Sequence, residues 1–442
     1  MTRISSRLVA VSVGTLLVLA AFSFQPSLAQ APAATTVALT GARVIDGTGR
    51  PALENATLLV RDGKVQAVGA ANAVQIPAGA TRVNASGKTI IPGLINAHAH
   101  LNVTDEKDIR PAYDVLKERL RLYADYGITS AVSLGSGDAD EMAGIKLRDE
   151  NEQAGLDRAR LYTGAKNAVG KTPEEARKSV DRLADLKVDV IKYHINGAAN
   201  DMTPETYGAL VDEARKKGLV TAVHVFYLKD AKGAIDKGTD VIAHSVRDQD
   251  ADESLISVMK RKNIGYVPTL TRDLSVFVYE TTPAFFKDPF FLKGIKVYRR
   301  DVDLLTDPAH QEKVRNDKNA QAIKPALQQA NRNLKILSDA GVMIGMGTDS
   351  GVQGAGNLGR WQGYFEHVEM DMMVKAGLTP MQALVASTGN GAKIMHLKNV
   401  GSLQAGNWAD FVVLNANPLT DIANVHKIDS VWIGGRRLTD AP

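Results

Sequence analysis

Ile90-Ile91-Pro92-Gly93-Leu94-Ile95-Asn96-Ala97-His98-Ala99-His100 is an apolar run that ends in two histidines. Its aliphatic and β-branched residues read as a buried strand. Residues two apart on a strand project to one side, so both imidazoles can reach one ion. A His-x-His pair alone is common by chance. Its weight depends on what stands at the ends of the neighbouring strands.

Outward from this run, residues 89–399 alternate strand and helix patterns. Strand segments are expected at Ile95–His98, Thr129–Ser133, Arg160–Thr163, Val190–Tyr193, Thr221–Val225, Val241–His244, Gly265–Thr269 and Met343–Thr348. Helices are expected at Pro204–Lys217, Ala231–Lys237, Asp252–Lys260 and Lys324–Ala340. Thr203, Pro204 and Glu205 supply an N-cap, a first-turn proline and an early acid. Eight strands separated by helices imply an α/β fold, a (β/α)8 TIM barrel rather than an open doubly wound sheet.

Five of these strands end in a candidate metal ligand: His98 with His100, Lys192, His224, His244 and Asp349. A barrel of this kind gathers the C-terminal ends of its strands at one face. The chain has 9 His, and four of them fall at these ends. It has no Cys, so thiolate ligands and disulfides are excluded and a metal must use imidazole and carboxylate. Lys192 has two readings. Burial and nearby cations would expose a nucleophilic amine, which carbon dioxide would convert to an anionic carbamate. Alternatively, the lysine runs its alkyl stem along the barrel and keeps its charge at the rim.

The two ends of the chain differ from this middle. Val37–Thr40, Ala42–Ile45, Ala56–Val60 and Val65–Val68 are short β segments broken by Asp46-Gly47, Asp62-Gly63 and Pro77-Ala78-Gly79. Asp410–Leu414 and Ser430–Ile433 have the same character, with a tight turn at Gly434-Gly435. Residues 30–88 and 400–442 are therefore expected to form one small β-sandwich domain.

Residues 1–29 read as a signal peptide: Arg3 and Arg7, an apolar run from Leu8 to Phe24, and small residues before a cut after Ala29. This predicts a periplasmic or secreted protein with no membrane attachment after cleavage. Two of the charges behind the formal +4 lie in that leader, and no basic block remains to suggest nucleic-acid binding. A hydrophobic content of 44% permits the large core that an exported chain without disulfides needs. Residues 271–323 carry Phe277, Tyr279, Phe285, Phe286, Phe290 and Phe291. They read either as a lid or substrate wall, or as an oligomer contact or extra helix pair.

Ile91–His100 resembles the first-strand signature of the amidohydrolase superfamily, and Gly347-Thr348-Asp349-Ser350-Gly351 resembles its eighth-strand signature. Gly47-Thr48-Gly49, Ala376–Leu384 and Gly401–Phe411 agree with the flanks of that family. Within it, the chain is most similar to imidazolonepropionase-related and prolidase-like members. The resemblance implies two divalent ions, usually zinc, and a carboxylated lysine. His98 and His100 would hold one ion and His224 and His244 the other. Lys192 would bridge them as a carbamate, and Asp349 would contact the first ion and shuttle protons. Relatives often assemble as homo-oligomers.

The implied reaction is hydrolysis of an amide, peptide or cyclic amide C–N bond by a metal-bridging hydroxide, with a dipeptide or N-acyl amino acid as a small-molecule substrate. Arg247 and Arg272 follow strand ends and are candidates to hold a substrate carboxylate, or else to pair with Asp248 or Asp273. Tyr193, Tyr227 and His194 are further candidates to line the pocket. The chain departs from the family after His224 and after Lys192, where substrate would sit. The alternative readings are a mononuclear deaminase of the same superfamily and a non-catalytic binding or assembly module.

Overall fold

The computed structural model describes residues 36–102, 108–138, 140–351 and 359–438. The expected signal peptide lies outside them.

Among the described residues, five strands come first: β1 (Thr36–Val44), β2 (Leu53–Arg61), β3 (Lys64–Ala70), β4 (Thr81–Asn84) and β5 (Thr89–Pro92). Seven follow in the middle: β6 (Leu94–Ala99), β7 (Ile128–Ser133), β8 (Arg160–Thr163), β9 (Val190–His194), β10 (Val220–His224), β11 (Val241–Ala243) and β12 (Gly265–Val267). Three more come last: β13 (Phe411–Leu414), β14 (Ile428–Ile433) and β15 (Arg436–Arg437).

The first and last described strands enter one eight-stranded sheet, ordered β15-β14-β13-β5-β1-β2-β3 with β4 on β1. The two segments expected at 37–45 are a single strand. Gly41, at φ 81°, lies where the β1–β2 register shifts between Thr40 and Ala42, a bulge that breaks the alternation without ending the strand.

The middle strands pair in parallel as β6-β7-β8 and β9-β10-β11-β12, with helices such as Pro173–Asp185, Pro204–Lys216 and Leu228–Asp236 between successive strands. Alternation along these strands sorts their side chains. Val132, Val190, Ala222, Ala243 and Val267 pack together in one cluster. Ile128, Ala131, Ile191, Tyr193, Val223 and Ile242 join the larger cluster that includes the helices.

The strand expected at Met343–Thr348 is not a continuous ladder. It touches β12 through a bridge between Tyr266 and Ile344, and its continuation touches β6 through a bridge between Ala99 and Ser350. Gly345 and Gly347 explain the difference. A Cβ on Gly347 would lie 2.5 Å from Val267 Cγ1 and 2.7 Å from the His98 Cβ, so the backbone runs too close for side chains and the ladder is weakened. The parallel strands thus form two sheets joined by single links, not one closed ladder.

The aromatics of 271–323 turn inward. Phe286 and Phe291 pack on Trp361, with ring centroids 5.7 and 5.2 Å away, and Phe291 is fully buried. These residues extend the chain's own core.

Candidate metal centre

His98 and His100 leave β6 where its pairing with β7 becomes irregular, between Asn96 and Ala99. That irregularity re-aims the chain end, and the two rings lie tilted at 49° with centroids 5.6 Å apart. Asp349 approaches from the 343–350 segment. Its φ of 57° is unusual for a residue other than glycine, and its amide donates to the His98 carbonyl at 2.7 Å. Asp349 Oδ1 lies 2.8 Å from His100 Nε2 and 3.2 Å from His98 Nε2. Ligand atoms of His98, His100 and Asp349 all lie within 4.8 Å of one another.

The remaining predicted ligands close around this group. Lys192 Nζ is 3.3 Å from His98 Nε2. The His244 ring lies 4.4 Å from that of His98 and 4.2 Å from that of His224. His194 stands two residues beyond Lys192, with its ring 4.9 Å from that of His224.

The donor set fits a divalent cation. His100 donates Nδ1–H to the Gly135 carbonyl at 3.2 Å, so in its neutral form Nε2 carries a lone pair. That lone pair faces a carboxylate oxygen, and two electron donors at this separation need a cation or a proton between them. His244 Nδ1 lies 2.7 Å from Thr269 Oγ1, which leaves its other nitrogen free for the centre. Burial first, and then the Lys192 cation, push His98 down to about 3. Burial likewise holds His224 and His244 well below the usual histidine range. Neutral imidazoles are the form that ligates.

Burial pushes Lys192 down to about 7, with only Asp349 opposing it. A side chain 1% exposed in this position cannot carry its charge to the rim, so the structure removes the rim reading. Burial raises the Asp349 carboxyl. Arg360, His100 and His98 outweigh that and leave it well below the ordinary range.

The other predicted residues divide. Tyr193 is turned away from the centre. Neighbouring residues on a strand face opposite sides, and its hydroxyl bonds Thr239 while its ring stacks on Tyr207. Arg247 is committed to Asp273, donating from Nη1 to both carboxylate oxygens at 2.8 and 2.9 Å in a fully buried pair. Arg272 also contacts Asp273 at 2.8 Å, but its side chain is 21% exposed and its charge reaches both Asp349 and His224. Tyr227 opens the helix Leu228–Asp236, exposed and packed against Gly197 of the loop after β9.

Sequence reasoning missed Arg360, which binds Asp349 Oδ2 from a buried position and reaches Ser275 Oγ at 3.2 Å through Nε. No periodicity marks it. Asn167 was missed too; its Nδ2 lies 3.4 Å from His194 Nδ1.

Residues 89–438 match the amidohydrolase family, and the chain belongs to it. It is an enzyme, a hydrolase acting on C–N bonds. The chain is 23% identical over 403 residues to an imidazolonepropionase of Streptomyces avermitilis, covering 87% of each chain. It is 24% identical over 365 residues to a 5-methylthioadenosine/S-adenosylhomocysteine deaminase of Haloarcula marismortui, covering 76% of this chain and 75% of that one. A candidate prolidase from Bifidobacterium longum superposes with a TM-score of 0.73 at 25% identity, covering 92% of this chain and 96% of the other.

Proposed function

We propose that this enzyme hydrolyses an amide or peptide bond in a substrate that carries a carboxylate, such as a dipeptide or an N-acyl amino acid. The observation that carries this reading is the convergence of His98, His100 and Asp349 within 4.8 Å, beside buried Lys192. In the same reading, the two parallel sheets close as a (β/α)8 barrel over 89–399. The terminal sheet is a separate small domain, and the leader directs export.

Two zinc ions would be held by His98 and His100 on one side and His224 and His244 on the other. Lys192, as its carbamate, and Asp349 would complete the set. Attack of the Lys192 amine on carbon dioxide forms the N–C bond and releases one proton, which gives the anionic group the site needs. Bound there, the ions would activate water and polarise the scissile carbonyl.

The chain's own groups do the rest. Asp349 accepts a proton from the attacking water and delivers it to the departing nitrogen. Arg360 holds the far oxygen of that carboxylate, so Asp349 presents one oxygen to the reaction. Arg272, partly exposed at the edge of the centre, takes the substrate carboxylate.

A hydrolysis screen over dipeptides, N-acyl amino acids, cyclic amides and aminated nucleosides tests the reading. Release of a free amino acid from the first two classes supports it. Ammonia release from nucleosides alone would replace it with a deaminase.

A further inference from the structure

The helix Tyr364–Lys375 carries two fully buried carboxylates, Glu366 and Glu369, and the mechanism above uses neither. Glu366 lies at the junction of the two ligand-bearing segments. Its Oε1 accepts from Asn96 Nδ2 at 2.5 Å, from Thr348 Oγ1 at 2.9 Å and from Ser350 Oγ at 2.9 Å. Asn96 stands on β6, two residues before His98, and its Oδ1 accepts the His98 amide at 2.9 Å. Thr348 and Ser350 flank Asp349 on both sides. Asn96 Nδ2 also donates to Thr348 Oγ1 at 2.8 Å, and that oxygen accepts the Ser350 amide at 3.2 Å.

The donor count closes around this oxygen. The Thr348 and Ser350 hydroxyl protons both go to Glu366. The Ser350 oxygen is then left to accept from Tyr123, 2.8 Å away. One carboxylate oxygen therefore ties the segment that presents His98 to the segment that holds Asp349 in its left-handed conformation. A bond network of this density, with no solvent access, fixes both backbones against each other.

We infer that Glu366 is a positioning residue that sets the separation of His98 and Asp349, and so the metal-binding geometry of the centre. It acts through Asn96, Thr348 and Ser350 and touches no reacting atom. This inference rests on the metal-centre reading proposed above.

The test is cobalt(II) binding to the full-length apoprotein, read by visible absorption and by competition with a chromophoric chelator. Glu366→Leu removes the acceptor, while Glu366→Gln keeps an oxygen where the three donors meet. The expected result is an altered cobalt spectrum and an affinity about 10–100-fold weaker for the leucine variant, with most of both regained by glutamine. Thr348→Val gives the same change in a chain whose buried carboxylate is intact, and decides the matter if the leucine variant does not fold. Wild-type affinity and spectrum in the folded leucine variant, or in Thr348→Val, would overturn the inference. A wild-type protein that takes up no cobalt would instead overturn the metal-centre reading itself, before any variant is made.

Discussion

Arg272 and Arg247 show how a single neighbour decides what a residue can do. Both touch Asp273, yet Arg247 donates to it from one nitrogen in a fully buried pair, and Arg272 remains partly exposed beside the centre. Arg272→Ala should therefore raise KM about 10–100-fold for substrates with a carboxylate, the loss of a charged hydrogen bond worth roughly 1.5–3 kcal/mol. Uncharged amides should show no such change, and steady-state kinetics on matched pairs of substrates separates the two. Asp349→Asn should keep the fold and lower kcat by about two to four orders of magnitude, as expected for loss of a general acid–base group. Tyr193→Phe should leave the kinetics unchanged, because its hydroxyl meets Thr239 behind the strand.

At the scale of elements, the helix Tyr364–Lys375 braces the site from behind. Burial pushes Glu369 up to about 8, although the Leu270 and Thr271 amides and the Thr271 hydroxyl all donate to it and pull the other way. A glutamate's ordinary value is 4.5, so between about pH 4.5 and 8 the folded chain keeps a proton that the unfolded chain has released. Its contribution to stability is present below that window and is lost as pH rises through it. Glu369→Gln should flatten the fall in stability across that window, measured by denaturant unfolding at a series of pH values.

The same scale shows what the sequence made readable. β8 occupies Arg160–Thr163 as expected, and the helix at Pro204 begins under its Thr203 cap, because strong local signals coincide with burial. The 343–348 segment was harder to read. Its apolar residues look like a strand, but Gly345 and Gly347 serve a close backbone approach instead of a ladder. Tyr193 and Lys192 are adjacent on one strand and face opposite sides, which the alternation of a strand already implies. Arg360 and Glu366 lie beyond any pattern argument. Their partners stand on segments 11 to 270 positions away, and only the folded chain brings them together.

Across the whole molecule, the motif Gly401–Phe411 is a structural tie. Arg160 at the start of β8 donates to Asp410 at 2.6 Å, and its guanidinium lies 4.5 Å from the Trp408 ring centroid. Asp410 also accepts the Gly434 amide at 2.6 Å, so one buried ion pair joins the parallel strands to the sheet built from both chain ends. Asp410→Ala should lower stability by roughly 3–5 kcal/mol, because it leaves a buried guanidinium unpaired. Denaturant melts of the folded variant provide that number.

The proposed function stands on His98, His100, Lys192, His224, His244 and Asp349 forming one binuclear centre with a carboxylated lysine at its middle. A crystal structure of the zinc-loaded enzyme, phased at the zinc edge, tests it most directly. Two anomalous peaks with a carboxyl group on Lys192 Nζ between them are the expected result. A single peak among His98, His100 and Asp349 beside an unmodified Lys192, in crystals of active enzyme, would contradict it.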